Sequence, residues 1–323
     1  MKKILKNAGK VLLVILLVLL VVKVWADRTY FDNYDPELPL DPQVMERETV
    51  EGDIEFFGLV RPARFEKEEF CIQVRPNERM QAVLTFPLDR DDAVPVVIFV
   101  HGSGMDRTFI EEVGTPFNEA GFAMASFDQA SVGEREVQGG MLRQAHAFRQ
   151  LPWKVVNDTR RLMDHLQTHP EIDSERIYLV GASFGAVTGA NVVALDDRIR
   201  AASLIVGGAN IPVILEAPAM REEVGNRLLY WVAGKVFTFV MNPADPIHYA
   251  AQTAGTPILM QNAEHDTLVT PAAGKELYNA LGEPKEIRWY PCEHPGMYEE
   301  EAPIVEDMLN DALQWLLQQD ANR

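Results

Sequence analysis

A strand, a sharp turn and a helix meet at residues 176–186, Arg-Ile-Tyr-Leu-Val-Gly-Ala-Ser-Phe-Gly-Ala, and this junction constrains the chain more than any other stretch. Ile177–Val180 is a short apolar, β-rich run with the length of a fully buried strand. It enters Gly181-Ala182-Ser183-Phe184-Gly185 directly, a G-x-S-x-G pentapeptide, and Val187–Leu195 then reads as a small, apolar helix packed on a sheet. Glycine on either side of Ser183 has a steric reason. The turn holds the serine in a strained backbone conformation, and the neighbouring strand and helix leave no room for β-carbons. The alternative is a chance match at a strand–helix corner, which the flanking pattern disfavours.

The rest of the chain repeats the alternation. Ile54–Val60, Glu69–Val74 and Met80–Phe86 read as strands, the last two paired across Pro76-Asn77-Glu78. Pro95–Val100, Phe122–Phe127, Ala201–Val206, Pro257–Gln261 and Glu286–Tyr290 read as buried strands. Between them, Phe109–Ala120, Trp153–Thr168, Ala272–Leu281 and Ala302–Gln318 carry helical spacing. Strands alternating with helices predict a mostly parallel sheet with helices on both faces. Ile211–Tyr249 interrupts the rhythm: it is helical in flavour, aromatic-rich at Leu228–Met241 and too long for an ordinary connection. It reads as an inserted lid over a pocket, with Trp231 lining it; a plain packing helix is the rival reading.

The N-terminus carries its own address. Lys2, Lys3, Lys6 and Lys10 precede the unbroken aliphatic run Val11–Val22, so residues 1–26 read as an export segment. Val24-x-Ala26 suits cleavage before Asp27, whereas Lys23 and Trp25 suit an uncleaved membrane anchor. Either way the domain at 50–323 is expected outside the cytoplasm, after an extended, acidic, proline-bearing linker at 27–49. The formal net charge of −18 argues against a nucleic-acid surface. Two cysteines, Cys71 and Cys292, are too few for a disulfide framework and fall in the first and last strand regions.

A serine hydroxyl needs an imidazole to take its proton and a carboxylate to orient that imidazole. In this strand–turn–helix context the chain order is Ser, acid, His. His294, just past the strand Glu286–Tyr290, is the histidine left in the required place. In the loop after Pro257–Gln261, Asp266 is the chosen acid and Glu264 its rival. Two oxyanion donors are expected, the Phe184 N–H from the turn and the Ser103 N–H from His101-Gly102-Ser103-Gly104. Asp128, ending the strand Phe122–Phe127, is assigned with Trp231 to the substrate lining. His165 and His169 sit at a metal-ligand spacing, but His165-Leu-Gln-Thr-His169 lacks the Glu of H-E-x-x-H and reads as a solvated helix end. No metal, nucleotide or other cofactor is assigned.

Taken together, Gly181–Gly185, His101-Gly102, Asp266 ahead of Val269-Thr270-Pro271, and His294 resemble the α/β-hydrolase superfamily. Asp173-Ser174-Glu175-Arg176-Ile177 and the N-terminal β region are similar to its dienelactone-hydrolase and prolyl-oligopeptidase-like branch. The resemblance spans roughly Glu66–Gln318. It implies an α/β-hydrolase fold with an eight-stranded sheet, its second strand antiparallel, and a lid after the sixth strand. It also implies a small-molecule ester substrate, or a peptide one; a non-catalytic binding protein on the same scaffold is the third class. Two departures stand out: Glu264 replaces a frequent Gly, and the usual glycine-rich loop after the fourth strand is reduced to Asp128–Gly133.

Overall fold

A computed structural model describes residues 17–18, 20–222 and 226–322. Most of the expected export segment, residues 1–16, lies outside the described residues. The remainder of that segment enters a helix, α1 (residues 20–28). Among the described residues, no helix is long and apolar enough to cross a membrane.

The sheet has nine strands: β1 (Gln43–Phe56), β2 (Leu59–Arg75), β3 (Glu78–Phe86), β4 (Val94–Val100), β5 (Ala123–Phe127), β6 (Ile172–Ala182), β7 (Ile199–Ile205), β8 (Ile258–Ala263) and β9 (Lys285–Tyr290). Their order is β1-β2-β3-β5-β4-β6-β7-β8-β9. β1, β2, β3 and β5 pair antiparallel in succession; from β5 onward every pair is parallel. This is the expected architecture with one strand added at the edge.

The central strand β4 is wholly apolar because side chains on both its faces are buried. In β4 all seven residues are buried; Val96, Ile98 and Val100 enter one core, and Val97 and Phe99 the other. The first core is closed by α4 (Met141–Leu166), α5 (Phe184–Leu195) and α9 (Pro271–Ala280). The second is closed by α2 (Phe109–Val113), α3 (Thr115–Glu119) and α10 (Ala302–Ala321). Burial on both faces removes any need for polar alternation.

Four local expectations change. The added strand β1 starts inside the stretch read as a linker, and Tyr30 and Phe31 ahead of it are buried in the first core. β1 is charged on both faces because it is an edge, where Glu, Arg and Lys discourage further pairing; Lys67 reaches Glu48 at 3.0 Å across the ladder. The run Ile54–Val60 is two strand ends with a turn between them: Phe57 and Gly58 have φ of 45° and 77°, a pairing suited to a two-residue hairpin. The single helix expected over Phe109–Ala120 is two, α2 and α3, broken at Gly114, whose Cβ would sit 2.5 Å from the Ile110 carbonyl. Finally, His165 is buried against the Phe70 ring at 4.6 Å rather than solvated.

The segment Ile211–Tyr249 is helical, as its composition predicts. It contains α6 (Ile211–Ile214), α7 (Pro218–Glu222) and α8 (Arg227–Met241), followed by single 3-10 turns. It leaves the sheet at the carboxyl end of β7, beside the carboxyl end of β6.

Candidate active site

Ser183 sits between β6 and α5 with φ 54° and ψ −117°, a region that side chains rarely adopt. The two flanking glycines make that conformation possible. A Cβ on Gly185 would lie 1.8 Å from the Val100 carbonyl oxygen, and one on Gly181 would lie 2.4 Å from the Gly185 carbonyl oxygen. α5 therefore starts in contact with the end of β4, which no other residue type permits. The Ser183 N–H donates to Ile205 O at 2.9 Å, fixing the turn to the neighbouring strand.

Three chain segments far apart in sequence meet at the Ser183 hydroxyl. His294 Nε2 stands 3.0 Å from Ser183 Oγ, and His294 Nδ1 stands 2.7 Å from Asp266 Oδ2. Asp266 is 3% exposed and His294 7%. The second oxygen of Asp266 accepts the Leu268 and Val269 N–H groups at 2.8 and 2.7 Å, so the carboxylate is held on both sides. Glu264, the rival acid, is solvent-exposed, and its N–H donates to Tyr290 O as an extension of the β8–β9 ladder. His265 continues that ladder through its N–H to Cys292 O at 3.0 Å. The chain bends at Glu264 and His265, both exposed, and the bend carries Asp266 out of the strand path into the buried contact with His294.

The loops carrying the acid and the imidazole are also tied by side chains. Glu293, next to His294, accepts the Thr267 N–H and hydroxyl, both at 3.2 Å, and its own N–H donates to Glu301 at 3.1 Å. Cys292 is buried, and burial first, then the acids around it, push its thiol up to about 11. It is therefore not a competing nucleophile.

The loop His101–Gly104 packs directly on the elbow: a Cβ on Gly102 would lie 3.3 Å from Ser183 Cβ. Ser103 lies in the turn of this loop, which Gly104 completes with φ 84°. Phe184 is the first residue of α5, so its N–H belongs to the helix's unpaired N-terminal donors. Phe184 follows Ser183 in the chain, and Ser103 follows Gly102, the residue of this loop packed on Ser183. Two residues after β5 hold the loop in place. Asp128 accepts the Arg107 N–H at 3.0 Å and its guanidinium at 2.7 Å, and Gln129 donates to His101 O at 2.7 Å. Burial lowers the pKa of His101, whose ring nitrogens face Gly102 O and Phe127 O at 2.8 and 3.1 Å.

A small apolar cavity of about 50 Å³ opens on Ser183. Its walls include Phe57, Phe99, Met105, Phe109, Val206 and Met308. Val206 is a β-branched residue with φ 49°, an outlier at the end of β7. The two residues assigned to the substrate lining lie elsewhere. Asp128 is 4% exposed and spent on Arg107, and Trp231 lines a separate groove with Leu215 and Tyr230. Among the described residues, none from Ile211–Tyr249 lines the Ser183 cavity. Its walls come instead from the β1–β2 hairpin, α2 and α10. Phe57 lies inside the run read as the strand Ile54–Val60, and the turn at Phe57 and Gly58 that replaces it carries the ring to the Ser183 cavity.

The family described as "Serine aminopeptidase, S33" matches residues 91–239, a stretch that includes Ser183 and ends before Asp266 and His294. The Bacillus subtilis (strain 168) protein named "Putative esterase YitV" is 27% identical over 122 residues. That alignment covers 38% of this chain and 48% of the other, so the chain spans about half the length of this curated relative. Among solved structures, the acetyl xylan esterase from Paenibacillus sp. R4 has a TM-score of 0.64 at 18% identity, covering 88% of this chain and 91% of that one. The acylaminoacyl peptidase of Pyrococcus horikoshii has a TM-score of 0.62 at 14% identity, covering 86% of this chain and 48% of that one. At such identities the likeness is one of fold.

Proposed function

We propose that the chain is an exported serine hydrolase of the α/β-hydrolase superfamily, cleaving short-chain carboxylic esters through an acyl-enzyme. The observation that carries this reading is the continuous contact from Asp266 through His294 to Ser183, 2.7 and 3.0 Å long. Asp266 fixes the His294 tautomer with Nδ1 protonated, leaving the Nε2 lone pair toward the serine. As Ser183 Oγ attacks the ester carbonyl, His294 Nε2 takes the hydroxyl proton and then gives it to the departing alcohol. A water, deprotonated by the same nitrogen, releases the carboxylic acid and restores the serine. The Phe184 and Ser103 N–H groups receive the charge that develops on the carbonyl oxygen. Ser183, His294 and Asp266 are thus assigned as catalytic residues.

The walls of the cavity support a short acyl chain: Phe57, Phe99, Phe109 and Met308 crowd the space beside Ser183 with bulky apolar side chains. The esterase name of the Bacillus subtilis relative points the same way. Peptide hydrolysis is a second reading, favoured by the aminopeptidase family match over residues 91–239. The lysine-flanked aliphatic segment at the N-terminus supports export, by a cleaved signal or as an anchor.

Fluorophosphonate labelling of the purified protein and of Ser183→Ala tests the nucleophile. Turnover of p-nitrophenyl acetate, p-nitrophenyl octanoate and aminoacyl p-nitroanilides tests the substrate class. The proposal expects labelling lost in Ser183→Ala and acetate far ahead of octanoate and anilide. Absent labelling of the wild type refutes the hydrolase, and preferred anilide turnover replaces the ester by a peptide.

A further inference from the structure

Helix α8 is inside out. A helix on the surface of a globular protein turns its apolar stripe to the core and its polar face to water. In α8 the inward stripe is Tyr230, Gly234, Thr238 and Met241, at helical spacing. The Tyr230 hydroxyl donates to the Leu215 carbonyl, and Gly234 lets Leu215 approach to within 3.6 Å of where a Cβ would be. The outward arc holds Leu228, Leu229, Val232, Val236 and Phe239, with relative exposures of 70, 59, 44, 58 and 59%. Trp231 flanks it at 61%. Arg227 and Lys235 are the helix's charged residues, and it has no acid although the chain carries 48 Asp and Glu residues.

Contiguous apolar surface of this kind marks a binding face. The chain itself indicates what covers it. Lys23 of α1 lies 4.4 Å above the Phe239 ring, so the helix that continues the aliphatic N-terminal run ends beside α8. α1 also turns apolar residues outward, with Val21 and Trp25 each 67% exposed. Phe148 of α4 meets Phe237 at 6.0 Å, extending the patch to a third helix. The sequence ahead of α1 is Lys2, Lys3, Lys6 and Lys10, then Val-Leu-Leu-Val-Ile-Leu. Aliphatic and aromatic residues with cations, and with Asp27 paired to Lys23 as the acid of α1, are the composition of a helix that lies in a lipid–water interface.

We infer that α8 is a membrane-docking helix, seated in the lipid bilayer alongside α1. The bilayer is the occupant because the patch continues an N-terminal run that is itself built for lipid. α8 belongs to the segment that leaves the sheet beside the carboxyl end of β6, so docking holds the Ser183 edge of the sheet near the lipid surface. This role does not depend on the hydrolase reading.

The test uses the full chain with Cys71→Ser, which leaves the buried Cys292, and one added cysteine carrying an environment-sensitive fluorophore. Val236→Cys reports from the outward arc, and Val60→Cys, 71% exposed on the β1–β2 hairpin, is the control. Vesicles are phosphatidylethanolamine with a minor share of phosphatidylglycerol. The inference expects Val236→Cys to shift to the blue on vesicles, to lose iodide quenching severalfold and to gain quenching by doxyl-labelled lipid, while Val60→Cys changes little. Equal iodide access at both positions with the protein vesicle-bound overturns it, as does failure to bind vesicles. Shielding of Val236→Cys without vesicles also overturns it: a dimer by light scattering assigns the patch to a second copy, and a monomer assigns it to the N-terminal segment.

Discussion

Replacing Asp266 by Asn separates the two tasks that this carboxylate performs. One oxygen faces His294 Nδ1 at 2.7 Å, and the other accepts two backbone N–H groups at 2.7 and 2.8 Å. The asparagine carbonyl can keep the backbone bonds, which leaves its NH₂ group pointing at His294. A donor there forces Nδ1 to accept, so the ring proton moves to Nε2 and Ser183 meets a donor where it needs a base. The expected loss is about 10⁴-fold in kcat, or about 5 kcal/mol of barrier. Folding should change by only about 1 kcal/mol, since two charge-assisted bonds become neutral ones. Asp266→Ala behaves differently. It leaves two buried N–H groups without an acceptor, at about 1–3 kcal/mol each, and should lower the melting temperature clearly more than Asp266→Asn. Turnover of p-nitrophenyl acetate and thermal unfolding of both variants are the assay. Asp266→Asn retaining more than about a tenth of wild-type kcat would refute the orienting role. Equal melting temperatures for the two variants would refute the account of the backbone bonds.

Gly185→Ala should yield little soluble protein, because its Cβ would overlap the Val100 carbonyl at 1.8 Å; expression with a near-native melting temperature would contradict this. Phe57→Ala removes a wall of the Ser183 cavity and should raise butyrate and hexanoate turnover relative to acetate by at least about tenfold; an unchanged chain-length order would show that the hairpin does not bound the acyl site. His165 predicts a pH effect. Burial first, then the nearby His169, lower its pKa to about 4 from 6.5, so the folded protein binds fewer protons than the unfolded chain on acidification. Stability present above the unfolded value is lost as pH falls from about 6.5 toward about 4, on the order of 1–2 kcal/mol by pH 5. In His165→Leu the fall in melting temperature between pH 7 and pH 5 should be smaller than in wild type; an equal fall would remove His165 as its cause.

What the sequence determined on its own is local or ordinal. The steric demand at Ser183 is written in Gly181 and Gly185 on either side of it, and the order Ser, acid, His needs only the succession of strands. Buried parallel strands such as β4 announce themselves because both faces are apolar. The tertiary structure decided what depends on which segments meet. Glu264 and Asp266 share one loop and similar chemistry, and only the bend at Glu264 and His265 after β8 leaves the first in solvent and brings the second to His294. Most of β1 has no apolar periodicity and is held by pairing with β2, and the run Ile54–Val60 reads as one strand, so the hairpin turn that brings Phe57 to the Ser183 cavity is decided only by that pairing. Leu228–Met241 had to bury itself against something, but its direction is set by Leu215 fitting against Gly234 and Tyr230, which turns the apolar side outward. A one-dimensional pattern records how apolar a helix is; which face it shows depends on the neighbour that claims the other.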